Sequence, residues 1–297
     1  MPNKTFFLSF VFILAFSSCK KEQPVNQNYH AVHETTKPSI PLRDSLVIDS
    51  IAVAKKQDSI AQQKRIQDSI DDKKFVYLTF DDGPQEGSEK INKIVSEENI
   101  KATVFLVGFN AFTPKLKSYV KDYKDNKNIE LANHTYTHAR NKYSQFYSNA
   151  DNVLKDIERN NDSILFPNRI VRFPGRNIWR VGKRKHNDFD KASAQVADYI
   201  ASKQYAIYGW DYEWERPKKG NSIDSPQSIY KGIMHRLEKN YTFEKNHLIL
   251  LMHDNMFSSV ENSEKLRELI RLIKGNDKLV LDVISNYPVQ QSSKKLM

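Results

Sequence analysis

The chain has 297 residues, 39% hydrophobic and 28% charged, a balance that fits one sizeable globular core and excludes a protein of many membrane spans. Its 46 Lys and Arg against 36 Asp and Glu give a formal charge of +10, but the basic residues are scattered along the chain. A nucleic-acid partner would want them clustered or interleaved with stacking aromatics, so none is expected, and the charge better suits an acidic envelope polymer or an anionic lipid surface.

At the N-terminus, Lys4 precedes an apolar run from Phe6 to Phe16. That run is too short to span a bilayer as a mature helix but suits the hydrophobic region of a signal peptide. Ser17, Ser18 and Cys19 follow, and small residues leading into a cysteine resemble a bacterial lipoprotein signal; Phe16 stands where a leucine is usual. We therefore expect a signal peptide over residues 1–18, lipidation at Cys19, export, and a lipid anchor to a bacterial membrane in the cell envelope. An ordinary secretory signal with an incidental cysteine is the plainer alternative. Cys19 is the only cysteine, which excludes an intramolecular disulfide and a thiolate metal cluster.

Residues 19–74 read as a tether. Pro24, Pro38 and Pro41 break a polar stretch without apolar periodicity. Beyond it, Asp44-Ser45-Leu46, Asp49-Ser50-Ile51, Asp58-Ser59-Ile60 and Asp68-Ser69-Ile70 form an irregular repeat separated by Lys, Gln and Ala, which favour a solvated helix or spacer. The copies are 5, 9 and 10 residues apart, which is not a coiled-coil heptad.

From residue 75 to 297, strand-length apolar runs alternate with helical patterns. Strands are predicted at 75–80, 102–108, 129–133, 169–173, 205–210, 247–253 and 278–284, and helices near 88–98, 114–125, 144–161, 188–203, 226–240 and 261–274. Continuous runs such as Thr103–Val107 and Leu248–Met252 suit strands buried on both faces of a parallel sheet. The fold class is α/β, a distorted parallel barrel of about seven strands, with an open doubly wound sheet as the alternative. In such folds the chemistry sits on the loops after the strands.

Five clusters stand at predicted strand ends. Thr79-Phe80-Asp81-Asp82-Gly83-Pro84 offers two adjacent carboxylates that point in different directions, one for a metal and one for a water. Asn133-His134-Thr135-Tyr136-Thr137-His138 carries two imidazoles four apart, which a helical turn or tight loop brings together. Two His and one carboxylate leave coordination positions open, as a catalytic metal site requires. Arg172-Phe173-Pro174-Gly175 supplies a guanidinium able to pin a carboxylate. Trp210-Asp211-Tyr212-Glu213-Trp214 has two acidic residues able to orient a histidine, and Leu251-Met252-His253-Asp254 ends in a candidate general acid, His253. The basic stretch Lys183–His186 reads as a solvated excursion, and the tryptophans as core unless they flank the site.

Together these residues resemble the NodB-type polysaccharide deacetylases, carbohydrate esterase family four, over about residues 75–285. The first cluster matches that family's first motif in full, and His134-Thr135-Tyr136-Thr137-His138 matches its His-(Ser/Thr)-x-x-His. The resemblance implies one divalent ion, zinc first with cobalt, manganese or nickel as alternatives, held by Asp82, His134 and His138. It implies Asp81 as general base, Arg172 as its tether and His253 as general acid oriented by an acidic residue of the fourth cluster. That residue is Asp211 or Glu213, with Asp211 the first candidate. Pro174, Gly175, Trp214 and Leu251 would meet the substrate, Leu251 lining a pocket for the acetyl methyl. Two features depart from the pattern: Gly175 stands where an aromatic is usual, and the fourth motif is altered. The implied activity is N-deacetylation of an amino-sugar polymer. O-deacetylation of xylan and an inactive glycan-binding lipoprotein are the competing expectations, the second disfavoured because no motif residue is missing.

Overall fold

The computed structural model describes residues 53–64, 73–216 and 222–289. The expected signal peptide, Cys19 and most of the expected tether lie outside them. Helix α1 (53–64) is exposed along its length, as its Lys, Gln and Ala content predicts. Of the two units into which the chain divides, Met1–Ile60 and Ala61–Met297, the second holds every strand.

That unit is built on a curled, mostly parallel sheet. Its strands are β1 (Lys74–Gly83), β2 (Ala102–Leu106), β3 (Ile129–Asn133), β4 (Ile170–Val171), β5 (Trp179–Val181), β6 (Arg184–His186), β7 (Ala206–Ile207), β8 (Tyr212–Glu213), β9 (His247–His253) and β10 (Leu279–Leu281). They run in the order β6-β5-β7-β4-β3-β2-β1-β9-β8, with β10 paired to the start of β1. Only the pairings of β5 with β6 and β7 are antiparallel. All seven predicted strands are present. The three unpredicted ones are two or three residues long, too short to show a period.

Strand alternation explains why the site forms. In β1, Val76, Leu78 and Phe80 pack outward against the helices, and Tyr77 faces the inner cluster with Phe105 and Ile249. Thr79 and Asp81 follow Tyr77 on the inner face. In β9, Leu248, Leu250 and Met252 are likewise outward, which leaves Ile249, Leu251 and His253 inward. The β1–β9 register runs from Phe75↔His247 to Asp81↔His253, so the predicted base and the predicted acid end side by side.

Around the sheet lie α2 (Ser88–Glu97), α3 (Pro114–Asp125), α4 (Tyr143–Phe146), α5 (Ala150–Ile164), α6 (Lys191–Ser202), α7 (Pro226–Lys239) and α8 (Val260–Lys274). The single helix predicted over 144–161 is two, because Asn149 caps α5 by accepting from the Asn152 amide. Ser225 caps α7 as its Ser-Pro pair predicts, with Pro226 at the first helical position. Ser88 does not cap α2. Its hydroxyl donates instead to Asp254 Oδ2 at 2.5 Å, tying the helix to the end of β9. The stretch Lys183–His186, expected as a solvated loop, turns at Gly182 (φ +58) and returns as β6 in a hairpin with β5.

Candidate active site

Asp81 and Arg172 form a buried ion pair at the end of the sheet, with Arg172 Nη1 2.7 Å from Asp81 Oδ1. The arginine has no exposed surface. Its other donors meet Thr79 Oγ1 at 2.8 Å, the Gly209 carbonyl at 2.9 Å and the Tyr208 carbonyl at 3.2 Å, and its plane lies 4.1 Å from the Phe105 ring centre. Four of its five N–H groups therefore have a fixed destination, and Asp81 is held by one oxygen while Oδ2 stays toward the cavity, 3.6 Å from His134 Nε2.

Asp82, His134 and His138 converge one step further out. Their nearest ligand atoms all lie within 4.8 Å of one another. His134 Nε2 is 3.4 Å and His138 Nε2 3.0 Å from Asp82 Oδ1, yet that buried oxygen accepts no hydrogen bond. Asp82 Oδ2 is taken by the Arg216 guanidinium, which leaves Oδ1 as the free lone-pair donor. His134 Nδ1 lies 3.0 Å from the Arg172 carbonyl, which places a proton there and turns Nε2 toward the trio. Burial alone would raise the Asp82 carboxyl, but His134 and His138 hold it well below the carboxylate range. Burial alone would lower the His134 imidazole, and Asp81 and Asp82 override it. An oxygen without a donor, facing two imidazole nitrogens, suits a divalent cation.

The two histidines come together through a strained loop, not a helical turn. Asp82 (φ +68), Thr135 (φ +63) and His138 (φ +49) all occupy the left-handed region without being glycine. Each such residue costs on the order of 1–3 kcal/mol, and strain of this kind gathers at functional sites. Asn133 secures the loop: its Oδ1 accepts from the Thr135 amide at 2.7 Å and from Asn160 Nδ2 at 2.8 Å, while Asn160 also donates to the Leu106 carbonyl at 2.8 Å. The Asn133–Asn160 pair and Arg216 had no local sequence signal, since their partners lie far along the chain.

His253 lines the same cavity as these groups. Burial pushes its imidazole down to about 4, opposed by Asp81, and its Nδ1 has no hydrogen-bond partner among the described residues. Asp211 is not beside it. Asp211 Oδ1 accepts from the Phe243 amide at 2.6 Å and Oδ2 from the Ile249 amide at 2.8 Å, so the carboxylate braces β9 four residues before His253. Glu213, paired with Leu251, lines the cavity with His253, and burial followed by Glu215 and Asp81 raises its carboxyl. Of the two acidic residues, Glu213 is the one that lines the cavity with His253. Asp211→Ala should cost about 1–3 kcal/mol in denaturant unfolding by stranding two amides, with kcat/KM nearly unchanged. Glu213→Gln should show the reverse, a lower kcat/KM at near-normal stability. Equal losses of activity in both would contradict this placement.

The cavity holds about 690 Å³, and Leu251 and Gly175 line it as expected. Gly175 has φ +65, and a Cβ there would come within 2.9 Å of the Tyr143 ring, so Tyr143 fills the space an aromatic side chain at 175 would need. Two expected substrate contacts do not reach the cavity. Trp214 has no exposed surface and packs edge-on against Phe257 in the core. Pro174 is buried behind the rim, its carbonyl accepting from the Tyr147 hydroxyl at 2.9 Å. Asp254 is structural: its Oδ2 takes the Ser88 and Tyr123 hydroxyls, and burial raises its carboxyl to about 6.

Residues 68–175 match the family model described as Polysaccharide deacetylase, a span that contains Asp81, Asp82, His134, His138 and Arg172. The fold is similar to the catalytic domain of a peptidoglycan N-acetylglucosamine deacetylase from Eubacterium rectale, at 20% identity and a TM-score of 0.55 over 73% of this chain and 91% of that one. A peptidoglycan-N-acetylglucosamine deacetylase of Bacillus cereus is 44% identical over 64 residues, 21% of this chain and 22% of that protein. A bifunctional xylanase/deacetylase of Pseudobutyrivibrio xylanivorans is 37% identical over 65 residues, 22% of this chain and 10% of that protein. The chain spans about half or less of the length of the curated relatives it matches. The family match rests on residues 68–175, and the structural likeness shows the fold.

Proposed function

We propose that this protein is a metal-dependent hydrolase that removes N-acetyl groups from an amino-sugar polymer, such as peptidoglycan, a chitin-like chain or poly-N-acetylglucosamine. The observation that carries the reading is the meeting, in one cavity, of the Asp81–Arg172 pair, the Asp82–His134–His138 trio and His253. The names of the matched proteins, deacetylases of peptidoglycan and chitin among them, support the choice of substrate class.

Asp82, His134 and His138 would hold the divalent ion, zinc first by their donor types, with cobalt, manganese or nickel also accommodated. Such an ion, when bound, polarises a carbonyl and lowers the pKa of a water toward neutrality. Asp81, with one oxygen fixed by Arg172, offers the other to take a proton from the attacking water. In the hydrolysis, a C–O bond forms at the acetyl carbon as the amide C–N bond breaks, giving acetate and a glucosamine unit. The Gly175 N–H, which donates to no acceptor among the described residues, stands at the cavity rim ready for the developing oxyanion. His253 passes a proton to the departing amine. Because burial keeps its imidazole neutral at rest, the proton it passes on is the one that Asp81 takes from the water, which returns Asp81 to its carboxylate as the amine leaves.

The test is acetate release from N-acetylglucosamine oligomers, peptidoglycan and acetylated xylan, each with zinc-loaded protein. We expect release from the amino-sugar substrates. Release chiefly from xylan would make the protein an O-acetyl esterase, and no release from any of them would reject the hydrolase reading.

A further inference from the structure

We propose that the groove continues past the reacting sugar into a second subsite, where a neighbouring sugar of the same polymer rests against Phe112. This deepens the deacetylase reading above and rests on it.

A second cavity of about 610 Å³ lies over the loops that follow β1, β2 and β9. It adjoins the catalytic cavity, since Gln85 and Asn110 line both. The residues between the two are fixed to the site itself: Gln85 Nε2 at 2.9 Å and Asn110 Nδ2 at 2.7 Å both donate to the Asp82 carbonyl. The carbonyl oxygens of these two amides accept no hydrogen bond among the described residues. They are placed for hydroxyl groups, as are Asn255 and Ser258, which also line this cavity.

Phe112 gives the cavity an apolar floor and is 71% exposed. It precedes the helix cap Thr113, where a residue often packs on the fourth helical position as a staple, but that position is Lys117. A bare aromatic beside uncommitted amides and a hydroxyl matches a pyranose ring, which has an apolar C–H face and a rim of hydroxyls. Phe109, 55% exposed on the catalytic cavity, continues the aromatic surface toward the reacting sugar. Charge narrows the occupant. Glu86 is the one charged residue lining the second cavity, and it is paired with Lys115 at 2.8 Å, so the subsite suits a neutral sugar rather than an acidic one.

The experiment compares zinc-loaded wild type with Phe112→Ala on N-acetylglucosamine and its oligomers up to the pentasaccharide. Dissociation constants are measured in parallel on Asp81→Asn protein with and without Phe112→Ala. Phe112 is exposed, so its truncation leaves the fold intact. We expect kcat/KM to rise with chain length in wild type. Phe112→Ala should lose about tenfold on every oligomer of two or more sugars, about 1.4 kcal/mol, with turnover of the single sugar unchanged and a matching loss of affinity. Identical length profiles, or an equal loss at every length, would overturn the subsite. Oligomers that bind in a Phe112-dependent, length-dependent way but are never hydrolysed would keep the subsite and reject the deacetylase reading.

Discussion

Replacing Asp81 by Asn should lower kcat by about 10²–10⁴-fold, the usual contribution of a positioned general base, while zinc affinity stays near that of wild type. The two effects separate because Asp81 and Asp82 are neighbours with different surroundings. Asp82 Oδ1 faces both imidazoles, whereas Asp81 Oδ1 is fixed on Arg172. The amide keeps an oxygen that can accept from Arg172 but not the charge, so the stability cost should approach that of a broken buried ion pair, about 3–5 kcal/mol. Acetate release and zinc titration of the purified variant check both halves. Near-normal turnover would remove Asp81 from the chemistry, and loss of zinc would mean that it belongs to the ligand set.

Arg172→Met should be the most damaging single change, costing about 3–5 kcal/mol of stability together with most of the activity. Methionine fills much of the space but leaves Asp81 buried without its counter-charge, and Thr79 Oγ1 and the Tyr208 and Gly209 carbonyls without donors. Arg172→Lys should not rescue it, since one ammonium cannot reproduce a planar fork bonded on three sides. Denaturant unfolding measures the first effect, and acetate release from surviving folded protein the second. A stable Arg172→Met variant with wild-type kcat would show that Asp81 needs no tether.

Much of this arrangement was legible from the chain. Continuous apolar runs mark β1, β2 and β9, and alternation along β1 and β9 places Asp81 and His253 on the inner face. The weaker points share a physical cause. Asp211 and Glu213 are two residues apart, so alternation puts both inward and cannot choose between them. The register of β8 on β9 separates them, pairing Glu213 with Leu251 at the cavity and leaving Asp211 beside the Ile249 amide. Trp214 is then outward by the same alternation, which explains its place in the core. Gly175 is explained only by Tyr143, which is distant in sequence, and Arg216 and Asn160 likewise reach the site through long-range contacts.

The most direct measurement is acetate release from an N-acetylglucosamine oligomer by protein stripped with chelator and then titrated with zinc, run beside His138→Ala. We expect activity to vanish on stripping and to return at about one zinc per chain, with His138→Ala folded but inactive and binding zinc far more weakly. Full activity in the stripped protein, or recovery in His138→Ala at the same zinc concentration, would contradict a metal centre at Asp82, His134 and His138.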